Sequence, residues 1–228
     1  MTSSKPMTDH NTTDLPQSHL KTWCWVSALC LCVSSLLMLS FDQGWLDVSW
    51  QKRLIYQGDY WRVLSGHWLH LSWNHWLMNQ LGLVLILWLL PMLLLKARWL
   101  LGFVGIGLVI GISLLATDLD GYVGMSGVLY GLLFYGALID HSLPKRIKAL
   151  FLTLVAMKVL VEQVWPQLNA ATEAQIGGMV AIDAHLFGSL AGVGMALLEL
   201  TYGRLRARNS STTDSKAPNN SNNQREAD

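Results

Sequence analysis

Thirty-three consecutive residues, Val63 to Leu95, contain no Asp, Glu, Lys or Arg. Two further runs of 19 uncharged residues follow, between Arg98 and Asp118 and between Asp120 and Asp140. The stretch between Lys21 and Asp42 is also uncharged. Ala149–Trp165 is interrupted only by Lys158 and Glu162, and Ala174–Leu198 only by Asp183. Outer helices of a soluble globule carry charge along one face, and these windows have no such face. A helix needs about 20 apolar residues to cross a bilayer core. The windows therefore predict six membrane spans, near 22–41, 71–93, 99–116, 124–140, 148–165 and 177–200. The expected fold class is an all-α, polytopic membrane bundle of six helices.

Composition agrees. Charged residues make up 14% and hydrophobic residues 52% of the 228, whereas a soluble domain carries roughly 25% charged residues. A net charge of +1 supplies no basic field for nucleic acid. The chain divides into a polar tail over 1–20, a membrane domain over 21–203 and a basic, then Asn- and Ser-rich tail over 204–228. Both tails are too poor in apolar residues to build a core and are expected to be disordered.

The remaining Lys and Arg set an orientation. Lys5, Lys21, Lys96, Arg98, Lys145, Arg146, Lys148, Arg204, Arg206 and Arg208 all fall on one side of a six-span protein, which places both termini in the cytoplasm; the first loop is the exception, with Lys52, Arg53 and Arg62 beside Asp42, Asp47 and Asp59. The first window lacks a small-residue cleavage site after Phe41 and is kept as a membrane helix rather than a signal peptide. Cys24, Cys30 and Cys32 lie inside it and read as small apolar side chains. The loop over 42–64 mixes Trp45, Trp50, Tyr56, Tyr60 and Trp61 with charges, a pattern suited to the membrane–water boundary.

Polar side chains inside a bilayer are expensive and mark function by default. Three clusters qualify. The first holds His67, His70, His75, Asn79 and Gln80. His75 and Asn79 are four apart and share a helix face. His67 is expected to touch water at the interface. The stretch from His67 to Asn74, including His70, is expected to offer water a route inward. The spacing of the three histidines is irregular for a metal site, and no metal or cofactor is expected.

The second cluster is Gly124-Met-Ser126-Gly127, with Tyr130 four residues after the serine. Glycine lets other backbones approach closely. A helix starting near Ser126 would turn its free N–H groups toward negative charge forming there. Gly124, Gly127 and Gly131 are expected to form one packing stripe. The third cluster is Asp183-Ala184-His185, with Gly188 and Gly192 on the histidine's face. Packing of the two glycine stripes would bring His185 against Ser126 and Tyr130, the meeting that activates a serine. Asp183 is two residues from His185 and points about 200° away on a helix, so the expectation is a dyad. Lys158 and Glu162 are four apart and read as a structural ion pair.

These residues resemble the rhomboid family of intramembrane serine proteases. Tyr60-Trp61-Arg62 is similar to the Trp-Arg ahead of that family's second helix. His70 and His75-x-x-x-Asn79 are similar to its H-x-x-x-x-H-x-x-x-N pattern. Gly124-x-Ser126-Gly127 and Ala184-His185-x-x-Gly188 are similar to its serine and histidine motifs. The resemblance covers about 56–195 and is strongest to a small bacterial branch, the rhombosortases. It implies a nucleophile, Ser126, and a base, His185, with His75 and Asn79 holding the oxyanion. Tyr130, Gly124, Gly127 and His70 would play supporting parts. The implied partners are membrane lipid and single-span protein substrates, including tails with a Gly-Gly-type junction, one hydrophobic helix and a basic end. The implied location is the bacterial inner membrane. The alternative is a catalytically silent member that binds membrane helices.

Overall fold

Every charge-poor window contains a helix in the computed structural model, which describes residues 17–141 and 143–214. Six long helices occupy the windows: α1 (Gln17–Asp42), α4 (Trp73–Leu89), α5 (Arg98–Ser113), α6 (Ser126–Ile139), α7 (Lys145–Val164) and α9 (Ile182–Asp214). Short helices lie between them: α2 (Lys52–Tyr56), α3 (Arg62–Ser65) and α8 (Ala170–Ile176). Arg98–Ala116 and Ile182–Arg206 are long and apolar enough to cross a membrane, whereas Leu29–Asp42 and Ser126–Ile139 are apolar but shorter. The expected tails fall largely on 1–16 and 215–228, which lie outside the described residues. Where they are described, the helices run further than expected: α1 begins at Gln17, and α9 continues through the Asn- and Ser-rich stretch to Asp214.

Helix α6 is the central element, packed against α4, α5, α7 and α9. Val128, Leu129, Leu132, Phe134, Tyr135, Ala137 and Ile139 are all buried. A helix that is apolar all round belongs inside, which is why α6 can be short. Its contact with α9 is backbone to backbone. A Cβ on Gly188 would lie 2.0 Å from the Gly127 carbonyl oxygen, and one on Gly192 2.0 Å from that of Gly131. Gly124 is not part of this stripe. It precedes the helix with φ +131, and its N–H bonds the Gly66 carbonyl at 3.1 Å.

Pro91 ends α4. A residue before proline is driven out of the helical region, and Leu90 sits at φ −122, ψ 68. At that end of the bundle Arg98 Nε and Nη2 donate to Glu199 Oε1 at 2.9 and 2.6 Å, while Tyr135 Oη donates to Oε2 at 2.5 Å. This joins α5, α6 and α9. Glu199 is about one-third exposed, which screens the pair. Glu199→Ala is expected to cost about 1 kcal/mol, read as a lower unfolding temperature in detergent micelles.

The loop over 42–64 is more deeply built in than expected. Trp45, Tyr56, Tyr60 and Trp61 are exposed, as an interfacial element requires. Trp50 is the exception: it is fully buried, and its Nε1 donates to the Gly111 carbonyl at 2.9 Å. Trp50–Gln51 forms β1, which pairs antiparallel with β2 (Gly121–Tyr122), Trp50 opposite Tyr122. Arg62 donates through Nη1 to the Ser49 carbonyl at 2.8 Å and through Nε to Asp59 at 3.0 Å. The loop is thereby pinned to the segment that leads into α6.

Candidate active site

Three helix N-termini converge. Ser126 is the first residue of α6, His75 lies in the first turn of α4 and His185 in the first turn of α9. Each start has a local cause. Ser72 caps α4 by accepting the His75 N–H at 3.2 Å, and its own hydroxyl donates to the Ile176 carbonyl at 2.8 Å. That second bond ties α8 to the mouth of α4. Gly177, at φ +82, closes α8. Glu173 then accepts the Val180 N–H at 3.1 Å and shapes the turn into α9.

Ser126 Oγ lies 2.8 Å from His185 Nε2. The Tyr130 ring lies against the imidazole, with centroids 4.5 Å apart and planes at 36°. His75 Nδ1 accepts the Leu71 N–H at 3.3 Å, so its proton sits on Nε2. Asn79 Nδ2 donates to the His75 carbonyl at 3.1 Å, and a primary amide carries a second N–H. His75, Asn79, Ser126, Tyr130 and His185 line one cavity of about 210 Å³, together with Lys158, Glu162 and Asn169. The first turn of a helix leaves backbone N–H groups without intrahelical partners, and the two side-chain donors line the same cavity as the hydroxyl. Gly124 makes room for His75: a Cβ there would lie 2.9 Å from its Cε1.

His67 and His70 lie outside this cavity. His67 is fully buried instead of touching water. Its Nε2 meets the Gly107 carbonyl at 2.9 Å, and its ring stands edge-on to Tyr122. Burial, its first cause, pushes its pKa down to about 4 against two backbone hydrogen bonds. His70 is also fully buried, edge-on to His75 with centroids 5.0 Å apart. Burial and then the neighbouring His75 push it down to about 3. Both stay neutral at pH 7, and neither lines the cavity. The interhelical packing of the first loop buries them, which local polarity cannot reveal.

Asp183 does not line the cavity either. The carboxylate that reaches His185 is Glu162, whose Oε2 lies 2.8 Å from Nδ1. Its other oxygen accepts from Lys158 Nζ, which also donates to Asn169 Oδ1 at 3.2 Å. An ionisable residue deep in an apolar window carried the signal. The lysine four residues before it supplied a sufficient local explanation and concealed the second partner.

The serine, the histidine bonded to it and the polar groups around them lie where three helices start, inside a helical bundle. The rhomboid domain family matches residues 57–202, and the chain belongs to that family. Its members are usually intramembrane serine proteases, and membership makes this an integral membrane protein. The chain is also similar to "Putative rhomboid protease YdcA" of Bacillus subtilis (strain 168). The two are 30% identical over 151 residues, covering 62% of this chain and 68% of the relative.

Proposed function

We propose that this chain is an intramembrane serine endopeptidase with Ser126 as nucleophile and His185 as general base. The 2.8 Å contact between Ser126 Oγ and His185 Nε2 carries the reading. As Oγ bonds the scissile carbonyl carbon, its proton passes to Nε2. The developing oxyanion is held by the Ser126 N–H, His75 Nε2–H and the Asn79 amide. The Nε2 proton then goes to the leaving amine as the C–N bond breaks. Water enters, loses a proton to Nε2 and attacks the acyl ester, and Ser126 recovers its hydroxyl.

The charge asymmetry supports six spans with both termini in the cytoplasm of a bacterial inner membrane. That orientation puts the starts of α4, α6 and α9 at the outer leaflet. Substrates are single-span membrane proteins whose helix must open locally before cleavage, since lipid offers its backbone no replacement hydrogen bonds. Small residues at the junction lower that cost and suit a cavity of about 210 Å³. The resemblance to rhombosortases makes Gly-Gly-type sorting tails the substrate of choice.

A fluorophosphonate probe applied to the full chain in proteoliposomes is expected to label Ser126, mapped by mass spectrometry. Labelling confined to another residue would end the assignment. Asn79→Ala is expected to lower kcat by about 10²-fold, the worth of one oxyanion donor. Ser126 should remain reactive toward the probe.

A further inference from the structure

Glu162 is 3% exposed, on α7, and its two oxygens are divided. Oε1 takes the Lys158 ammonium and Oε2 faces His185 Nδ1 at 2.8 Å. The chain of contacts runs Asn169, Lys158, Glu162, His185, Ser126. Lys158 is half exposed and could meet a carboxylate at the surface, so an ion pair alone gives no reason to bury Glu162. The imidazole gives one. The register of α7 against α9 is also fixed beside it, where Gln163 Nε2 donates to the Ile182 carbonyl at 2.9 Å.

We propose that Glu162 is a positioning residue for hydrolysis, acting through His185, with Lys158 as its counter-ion. The proposal rests on the reading of Ser126 and His185 as nucleophile and base. A carboxylate on Nδ1 selects the tautomer with the proton on Nδ1, which leaves Nε2 free to accept the serine proton. When Nε2 takes that proton the ring becomes an imidazolium, and the adjacent negative charge stabilises it. The Nδ1 proton stays on nitrogen throughout, and Glu162 gains none. The Nε2 proton leaves with the amine product, as in the cycle above. Lys158 supplies the counter-charge that a buried carboxylate requires.

Cleavage of a purified single-span reporter with a Gly-Gly junction, in proteoliposomes, tests this. Glu162→Gln keeps the shape and removes the charge. It is expected to lower kcat by about 10²–10⁴-fold with KM unchanged, since the wrong tautomer is then available to His185. Glu162→Asp, which keeps the carboxylate, is expected to recover part of that loss. Wild-type kcat in Glu162→Gln would overturn the proposal. So would a loss of equal size in both variants, or one seen only as a raised KM. Should Glu162→Gln not fold, Glu162→Ala decides in its place: it removes the carboxylate and is expected to lower kcat by about 10²-fold or more with KM unchanged, and wild-type kcat would overturn the proposal. Ser126→Ala separates the two levels. If it is inactive while Glu162→Gln is fully active, only the role of Glu162 fails. If Ser126→Ala cleaves normally, the reading of the site fails beneath it.

Discussion

Ser126→Ala is expected to reduce cleavage of a single-span substrate by about 10⁴-fold or more, below the detection limit of a gel assay. In the proposed mechanism the serine supplies the atom that becomes the acyl ester. Of the other hydroxyls lining the cavity, that of Tyr122 donates to the Gly124 carbonyl, that of Tyr130 sits on a ring tilted against His185, and Thr172 lies on α8. The substitution removes a hydroxyl from a helix start and adds nothing, so unfolding temperature should change little. Fluorophosphonate labelling should disappear in parallel. His185→Ala should match it in cleavage, because a nucleophile and its base act as a unit. Undiminished cleavage by either variant would refute the pairing.

The second large effect concerns a residue that touches no substrate. Gly188→Leu is expected to destabilise the protein by about 3 kcal/mol and to lower activity by more than about 10²-fold even where it folds. A Cβ at 188 would lie 2.0 Å from the Gly127 oxygen and 2.7 Å from its carbonyl carbon. The obstacle is main chain inside a helix, which cannot swing aside as a side-chain tip does. Helices α6 and α9 would have to separate. Gly127 adjoins Ser126, and Gly188 is three residues after His185, so separation lengthens the 2.8 Å contact directly. Gly194 and Gly203, on the same helix, have nothing within 4 Å of an added Cβ. Gly194→Ala should therefore be neutral or slightly stabilising, since alanine favours helix over glycine. Thermal unfolding in detergent, run on the two variants together, distinguishes a specific contact from a general intolerance of change.

Much of this was legible along the chain. The start of α6 at Ser126 follows from glycine and polarity in a short segment, and the Gly188/Gly192 stripe follows from helical periodicity. Excluding Asp183 as the partner of His185 followed from 100° per residue. That arithmetic compares neighbours on one helix and is silent about a carboxylate arriving from another. Gly124 shows a related failure. Its spacing fits the stripe, but the helix begins two residues later, and its positive φ serves the turn that admits His75.

The sequence by itself determined the helices, the membrane class and the residues capable of chemistry, because uncharged length, periodicity and buried polarity are local quantities. Tertiary structure decided which of them meet. Trp50 and His67 became core, although each looked interfacial, because the first loop folds back between α5 and the start of α6. Glu162 reaches His185 across 23 residues of chain because α7 packs beside α9 in one register. A hydrogen bond depends on a separation of about 3 Å in space, and no spacing in sequence encodes that for groups on different helices.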